Sequence, residues 1–183
     1  MPNSFAAFAA ELTSHLLSDA LLYTDYKSGV FLAGRSEALS ADFLSNHLAP
    51  ALSRAGATVV SLQPPSAKGP KSLEEVGAAL WAHMEKSKLE QYPSSLSEIV
   101  LRATATGTSF ALLLNQVEDL TLTSDGVCIL MALKACRDAV NLRPGAHGSF
   151  LLVAAGTHMH RLTTMVCDSS QPFYGSTLLQ LPA

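Results

Sequence analysis

Ser109-Phe110-Ala111-Leu112-Leu113-Leu114-Asn115-Gln116-Val117-Glu118 is an apolar run that breaks off in two neutral amides. A run of about 4–8 apolar residues bounded by polar ones is the pattern of a strand buried on both faces, and such strands belong to parallel sheets covered by helices. Open α/β sheets keep their ligand crevice outside the carboxyl ends of the strands. Asn115 and Gln116 therefore fall where a site is expected.

Working outward, the same kind of strand recurs at Gly29 to Gly34, Ala57 to Leu62, Ser149 to Gly156 and, more briefly, Thr177 to Leu181. Helical spacing fills the intervals. Residues 4–22 place Phe5, Phe8, Leu12 and Leu16 on one face, and Leu39 to Ala55 does the same with Phe43, Leu44, Leu48 and Leu52 before Gly56 stops the helix. Ser72 and Glu75 have capping-box spacing ahead of Val76, Leu80, Trp81 and Met84; Tyr92-Pro93 breaks that helix, and Ser95 or Ser97 opens the next. Val127 to Val140 and His158 to Val166 supply two more, while 63–71, rich in proline and glycine, and Thr121 to Asp125 read as loops. Alternation of strand and helix along 183 residues predicts one doubly wound α/β domain spanning 1–183, with right-handed crossovers and helices on both faces.

The chain is 48% apolar and 15% charged, with a formal net charge of −3, so composition gives no reason to expect a nucleic-acid partner. Lys68, Lys71, Lys86 and Lys88 are interspersed with acids and proline and read as solvated surface. The amino-terminal helix lacks a basic leader region, and no window reaches the roughly 18 consecutive apolar residues of a membrane span, which predicts a soluble, cytoplasmic protein. Cys128, Cys136 and Cys167 lack metal spacing and lie in apolar patterns, so they are expected as buried, reduced thiols.

Phe31 to Gly34, Asp42 to Leu52, Ala55 to Val60, Leu112 to Gln116, Ala132 to Asp138, Leu151 to Thr157 and Gln171 to Ser176 together resemble a family of bacterial AAA-like P-loop ATPases, from about Gly29 to Ser176. The resemblance implies a three-layer α/β/α fold around a five-stranded, mostly parallel sheet of order 5-1-4-3-2, here without a C-terminal lid. It also implies a nucleotide site, and there the chain departs from the pattern. A phosphate loop needs Gly-x-x-x-x-Gly-Lys-Ser/Thr, because bare amides cradle phosphate, the lysine neutralises it and the hydroxyl reaches magnesium. Counting from Gly34, Leu39 stands for the second glycine, Ser40 for the lysine and Ala41 for the hydroxyl. Asn115 replaces the acid that would hold magnesium, and Gln116 the residue that would orient the attacking water. Thr157 and His158 occupy the neighbourhood that senses the γ-phosphate in that family.

Phosphoryl transfer rests on positioning and charge stabilisation, so these replacements predict a catalytically inactive ATPase-like protein with no catalytic residues, metal or cofactor. It is expected to act through a protein partner or self-association, by way of the Phe5–Leu17 helix and the outer helices of the sheet. Two alternatives remain: a sensor that binds ATP or ADP weakly, using Arg35 and Ser36 or Ser40 without hydrolysis, and an NTPase or hydrolase of unusual design. For the latter, Cys167, His160 and Asp138 are the candidate groups, but no nucleophile turn accompanies them. His158 and His160 could ligate a metal only with a third ligand. Arg137 and Arg161 are candidates for arginines presented to a neighbouring subunit's phosphate, or for pairing with acids such as Asp138.

Overall fold

A computed structural model of the chain describes residues 4–18, 24–62, 73–84, 95–143 and 148–182. The expectations for 63–71, for the Ser72 cap, for Tyr92-Pro93 and for the four lysines fall outside the described residues, as do the side chains of Leu80, Trp81 and Met84.

Strands β1 (Val30–Ala33), β2 (Thr58–Leu62), β3 (Phe110–Leu114), β4 (Phe150–Gly156) and β5 (Thr177–Gln180) form one parallel sheet in the order β2-β3-β4-β1-β5. Read from the other edge, that is 5-1-4-3-2, as expected. Every residue of β1, β3 and β4 is buried, because apolar side chains on both faces meet helices. Phe110, Leu112, Leu114, Phe150, Leu152 and Ala154 face one core, shared with α5 (Leu73–Met84), α6 (Leu96–Thr104), α7 (Ser124–Asn141) and α8 (Met159–Cys167). The alternate residues Ala111, Leu113, Leu151 and Val153 face the other, under α1 (Phe5–Leu16) and the helical stretch after β1.

That stretch is less regular than its spacing suggests. It begins at Glu37, not Leu39, as α3 (Glu37–Asp42), passes through a π-helical turn at Phe43–Leu48 and continues as α4 (Ala49–Arg54). Its core positions Phe43, Leu44, Leu48 and Leu52 are buried, and Gly56 ends it at a φ of 91°.

Several other boundaries differ from the sequence reading. The first helix ends at Leu16 instead of reaching 22, and a short helix, α2 (Thr24–Lys27), precedes β1. Phe5 and Phe8 pack their rings on Phe43 at centroid distances of 5.4 and 5.5 Å, so the apolar face offered for docking is engaged within the molecule. Thr121 to Asp125 is no loop: a 3-10 helix, Val117–Leu122, runs almost directly into α7, which Thr123 caps by accepting the Gly126 amide. Of the cysteines only Cys136 is buried; Cys128 and Cys167 are exposed, because they sit one helical step from the inward positions Ile129 and Val166.

Asn141, at the end of α7, fixes the carboxyl end of this helix to the sheet. Its amide nitrogen donates to the carbonyls of Lys27 (3.0 Å) and Phe150 (2.9 Å), and its oxygen accepts the Phe150 amide at 2.8 Å.

Candidate functional site

The carboxyl ends of β1 and β3 flank that of β4. Ala33 pairs with Gly156 and Leu114 with Ala154, so Gly34 and Asn115 lie on either side of the β4 terminus, two strand spacings or about 10 Å apart across the sheet. Gly34 donates its amide to the Gly156 carbonyl at 2.8 Å. Thr157 and His158 leave β4 between them. Gly34, Asn115, Gln116, Thr157 and His158 thus come to one edge, and α3 brings Leu39, Ser40 and Ala41 beside it.

The turn after Gly34 is closed from within. Ser40 is fully buried, and a Cβ built at Gly34 would collide with its hydroxyl, so the absence of a side chain at 34 makes room for serine. Leu39 is 44% exposed; Ser36 caps α3 by accepting the Leu39 amide at 3.3 Å.

Across the edge sits Glu118, which the sequence reading passed over as the end of a strand. It is wholly buried (0% exposed) in the 3-10 helix after β3. Its Oε1 accepts the backbone amides of Thr157 (2.6 Å) and His158 (3.1 Å) and lies 3.2 Å from His158 Nδ1. Burial by itself would raise its pKa; the two amides and the imidazole outweigh that and hold the carboxyl below its ordinary value. Gly156 is required here, since a Cβ at that position would run into the Glu118 carboxylate. The spacing Asn115-Gln116-Val117-Glu118 was the available signal: an acid just beyond a strand buried on both faces.

Gln116 takes a left-handed conformation, φ 51° and ψ 42°, the sole described non-glycine with positive φ. Such backbone costs roughly 1–2 kcal/mol for a residue with a Cβ. Ser40 Oγ, Asn115 Oδ1, Gln116 Nε2 and Glu118 Oε2 are all buried without a hydrogen-bond partner among the described residues. Each is a polar atom at this one sheet edge that would accept or donate to a small polar occupant.

The remaining candidates do not join them. Arg137 donates to the Ser28 carbonyl at 2.5 Å and to Asp138 at 2.8 and 2.9 Å, and lies over the Phe173 ring, so its guanidinium is engaged inside the molecule. Asp138 also accepts from Lys134 at 2.6 Å; against the upward pull of burial, these two cations keep its carboxyl below the usual range. His160, Arg161 and Cys167 lie exposed along α8. Among the described residues no group of three or more His, Cys, Asp or Glu side chains is arranged to hold a metal ion, and no helix is long and apolar enough to cross a membrane.

No protein-family model matches the sequence, and no curated protein does. Solved structures do. The chain is similar to the ORC2 protein of Aeropyrum pernix in its ADPNP-ADP complexes, with 15% identity and a TM-score of 0.63 over 100% of this chain and 50% of that one. It is also similar to the ADP form of that protein, with 14% identity and a TM-score of 0.61 over 99% and 48%. The chain therefore spans about half the length of the solved structures it matches. At these identities the likeness is one of architecture: the chain shares with those structures an α/β fold built on a five-stranded parallel sheet.

Proposed function

We propose that the chain is an ATPase-like protein that has lost phosphoryl transfer and acts through contacts with other proteins, in the bacterial cytoplasm. The observation that carries this reading is the chemistry of the sheet edge. Asn115 and Gln116 present neutral amides, and the Glu118 carboxylate is engaged through Oε1 by the amides of Thr157 and His158, while its Oε2 lies buried against Gly156. Magnesium held by a triphosphate needs hard anionic oxygen, and no lysine follows the turn to neutralise phosphate. Ser40 closing on Gly34 further supports a turn that no longer wraps an anion.

The test is phosphate release and thermal shift with ATP or ADP and magnesium, expected to give neither. Phosphate release above background that disappears in Asn115→Ala would overturn the proposal in favour of an unusual NTPase. A second reading, binding without turnover, draws support from the unpartnered atoms of Ser40, Asn115 and Gln116, which suit a polar occupant. A thermal shift without phosphate release would select it. Combining Leu39→Gly, Ser40→Lys, Ala41→Ser, Asn115→Asp and Gln116→Glu is expected to restore nucleotide binding to a folded protein.

A further inference from the structure

The outward face of α7 has the wrong chemistry for water. Its inward positions Ile129, Leu130, Leu133, Cys136 and Val140 are buried. Val127, Cys128, Met131, Ala135 and Ala139 face out, with Leu122 just before the helix and Leu142 just after. Met131 is 51% and Leu142 79% exposed. On one flank of this face Asp138 is paired with both Lys134 and Arg137, and Asp125 stands exposed near the amino-terminal end of the helix. An outer helix of a solvated domain ordinarily carries charge on that side.

We infer that this face pairs with the same face of a second copy of the chain, the two α7 helices running antiparallel about a two-fold axis beside Ala135. Three features of the sequence fit that operator and no other centre was needed to find them. Ala135 meets Ala135, allowing the helices close approach. Met131 of one copy falls against Ala139 of the other, and Leu142 against Cys128, so these two large side chains each meet a small one. Finally, a two-fold of this kind brings like flanks together. Lys134 of one copy then lies about 3 Å along the axis from Asp138 of the other, at about 1.5 Å of rise per residue, and the converse pair forms by symmetry. The flank is thus complementary to itself in charge, and the face in size. This dimer rests on the contact-protein reading for its purpose only; its existence is a separate matter.

Sedimentation velocity of the purified full chain over about a hundredfold concentration range is expected to show a monomer–dimer equilibrium. Met131→Asp, with an unchanged circular dichroism spectrum, should weaken it at least about tenfold. Lys134→Glu and Asp138→Lys should each dissociate the homodimer, while an equimolar mixture of the two recovers a heterodimer, a result that a merely structural role of the pair would not give. Because Asp138 also holds Arg137, a fold-independent check is Ala135→Cys with Cys128→Ser and Cys167→Ser, which should crosslink across the axis under mild oxidation. A wild-type chain monomeric throughout, or no crosslink at Ala135→Cys in a protein that does dimerise, would overturn the inference. ATP turnover by a dimer would sink the contact-protein reading and leave this interface intact; a monomer without turnover would do the reverse.

Discussion

Glu118 reaches across the end of β4 to accept the amide of Thr157 at 2.6 Å, and thereby ties the segment after β3 to the start of α8. Its folded-state pKa is depressed relative to the unfolded chain, where a glutamate titrates near about 4.3. The unfolded state therefore binds more protons in the interval between the two values. The contribution of Glu118 is complete above the unfolded pKa and is lost as pH falls through the folded one. Urea titrations across that acid range should show wild type losing stability more steeply than Glu118→Gln, and at neutral pH the variant should be weaker by about 1–3 kcal/mol. Parallel pH profiles would show that the carboxylate does not have this role.

Gly156 and Glu118 should be coupled. Gly156→Ala drives a methyl group into the carboxylate and is expected to cost about 1–3 kcal/mol. In a Glu118→Ala background the same change should cost less, by an interaction energy of about 0.5–3 kcal/mol in a double-mutant cycle. Additive effects would mean that the obstruction lies elsewhere.

The left-handed backbone of Gln116 makes a cleaner comparison between two truncations than between either and wild type. Gln116→Gly and Gln116→Ala both remove the buried amide, but alanine alone keeps the strained geometry. The glycine variant should be more stable by about 1 kcal/mol in chemical denaturation; equal stabilities would indicate that residue 116 relaxes out of this conformation.

Asn141→Ala removes three hydrogen bonds at once, and leaves the partly buried carbonyls of Lys27 and Phe150 to find others. A loss of about 2–4 kcal/mol is expected. Hydrogen exchange at the Phe150 amide should accelerate in the same variant, and unchanged protection there would count against the Asn141 contact.

The parallel sheet was legible because β1, β3 and β4 are apolar at successive positions, a pattern that only burial on both faces explains. The edge strand β5 is only half-buried, yet Thr177 to Leu181 still announced it. What stayed hidden depended on contacts between distant residues. Glu118 looks like a solvated acid until the amides of Thr157 and His158, about forty positions on, are brought to it by the β3–β4 pairing. The α1 face looked free because nothing in its own sequence reveals that Phe43 waits beneath it. Cys128 and Cys167 were misread for a local reason: at about 100° per residue, a neighbour of an inward position already points away.

The π turn at Phe43–Leu48 holds one residue more than a regular helix would need, and so sets the phase of α3 against that of α4. Removing a single residue there, such as the exposed Ser45, would wind the stretch as continuous α-helix and swing α3 by about 100°. Ser40 would then turn away from Gly34 with its own codon untouched. Length, and not only side-chain identity, is the dial that keeps the mouth of this sheet shut.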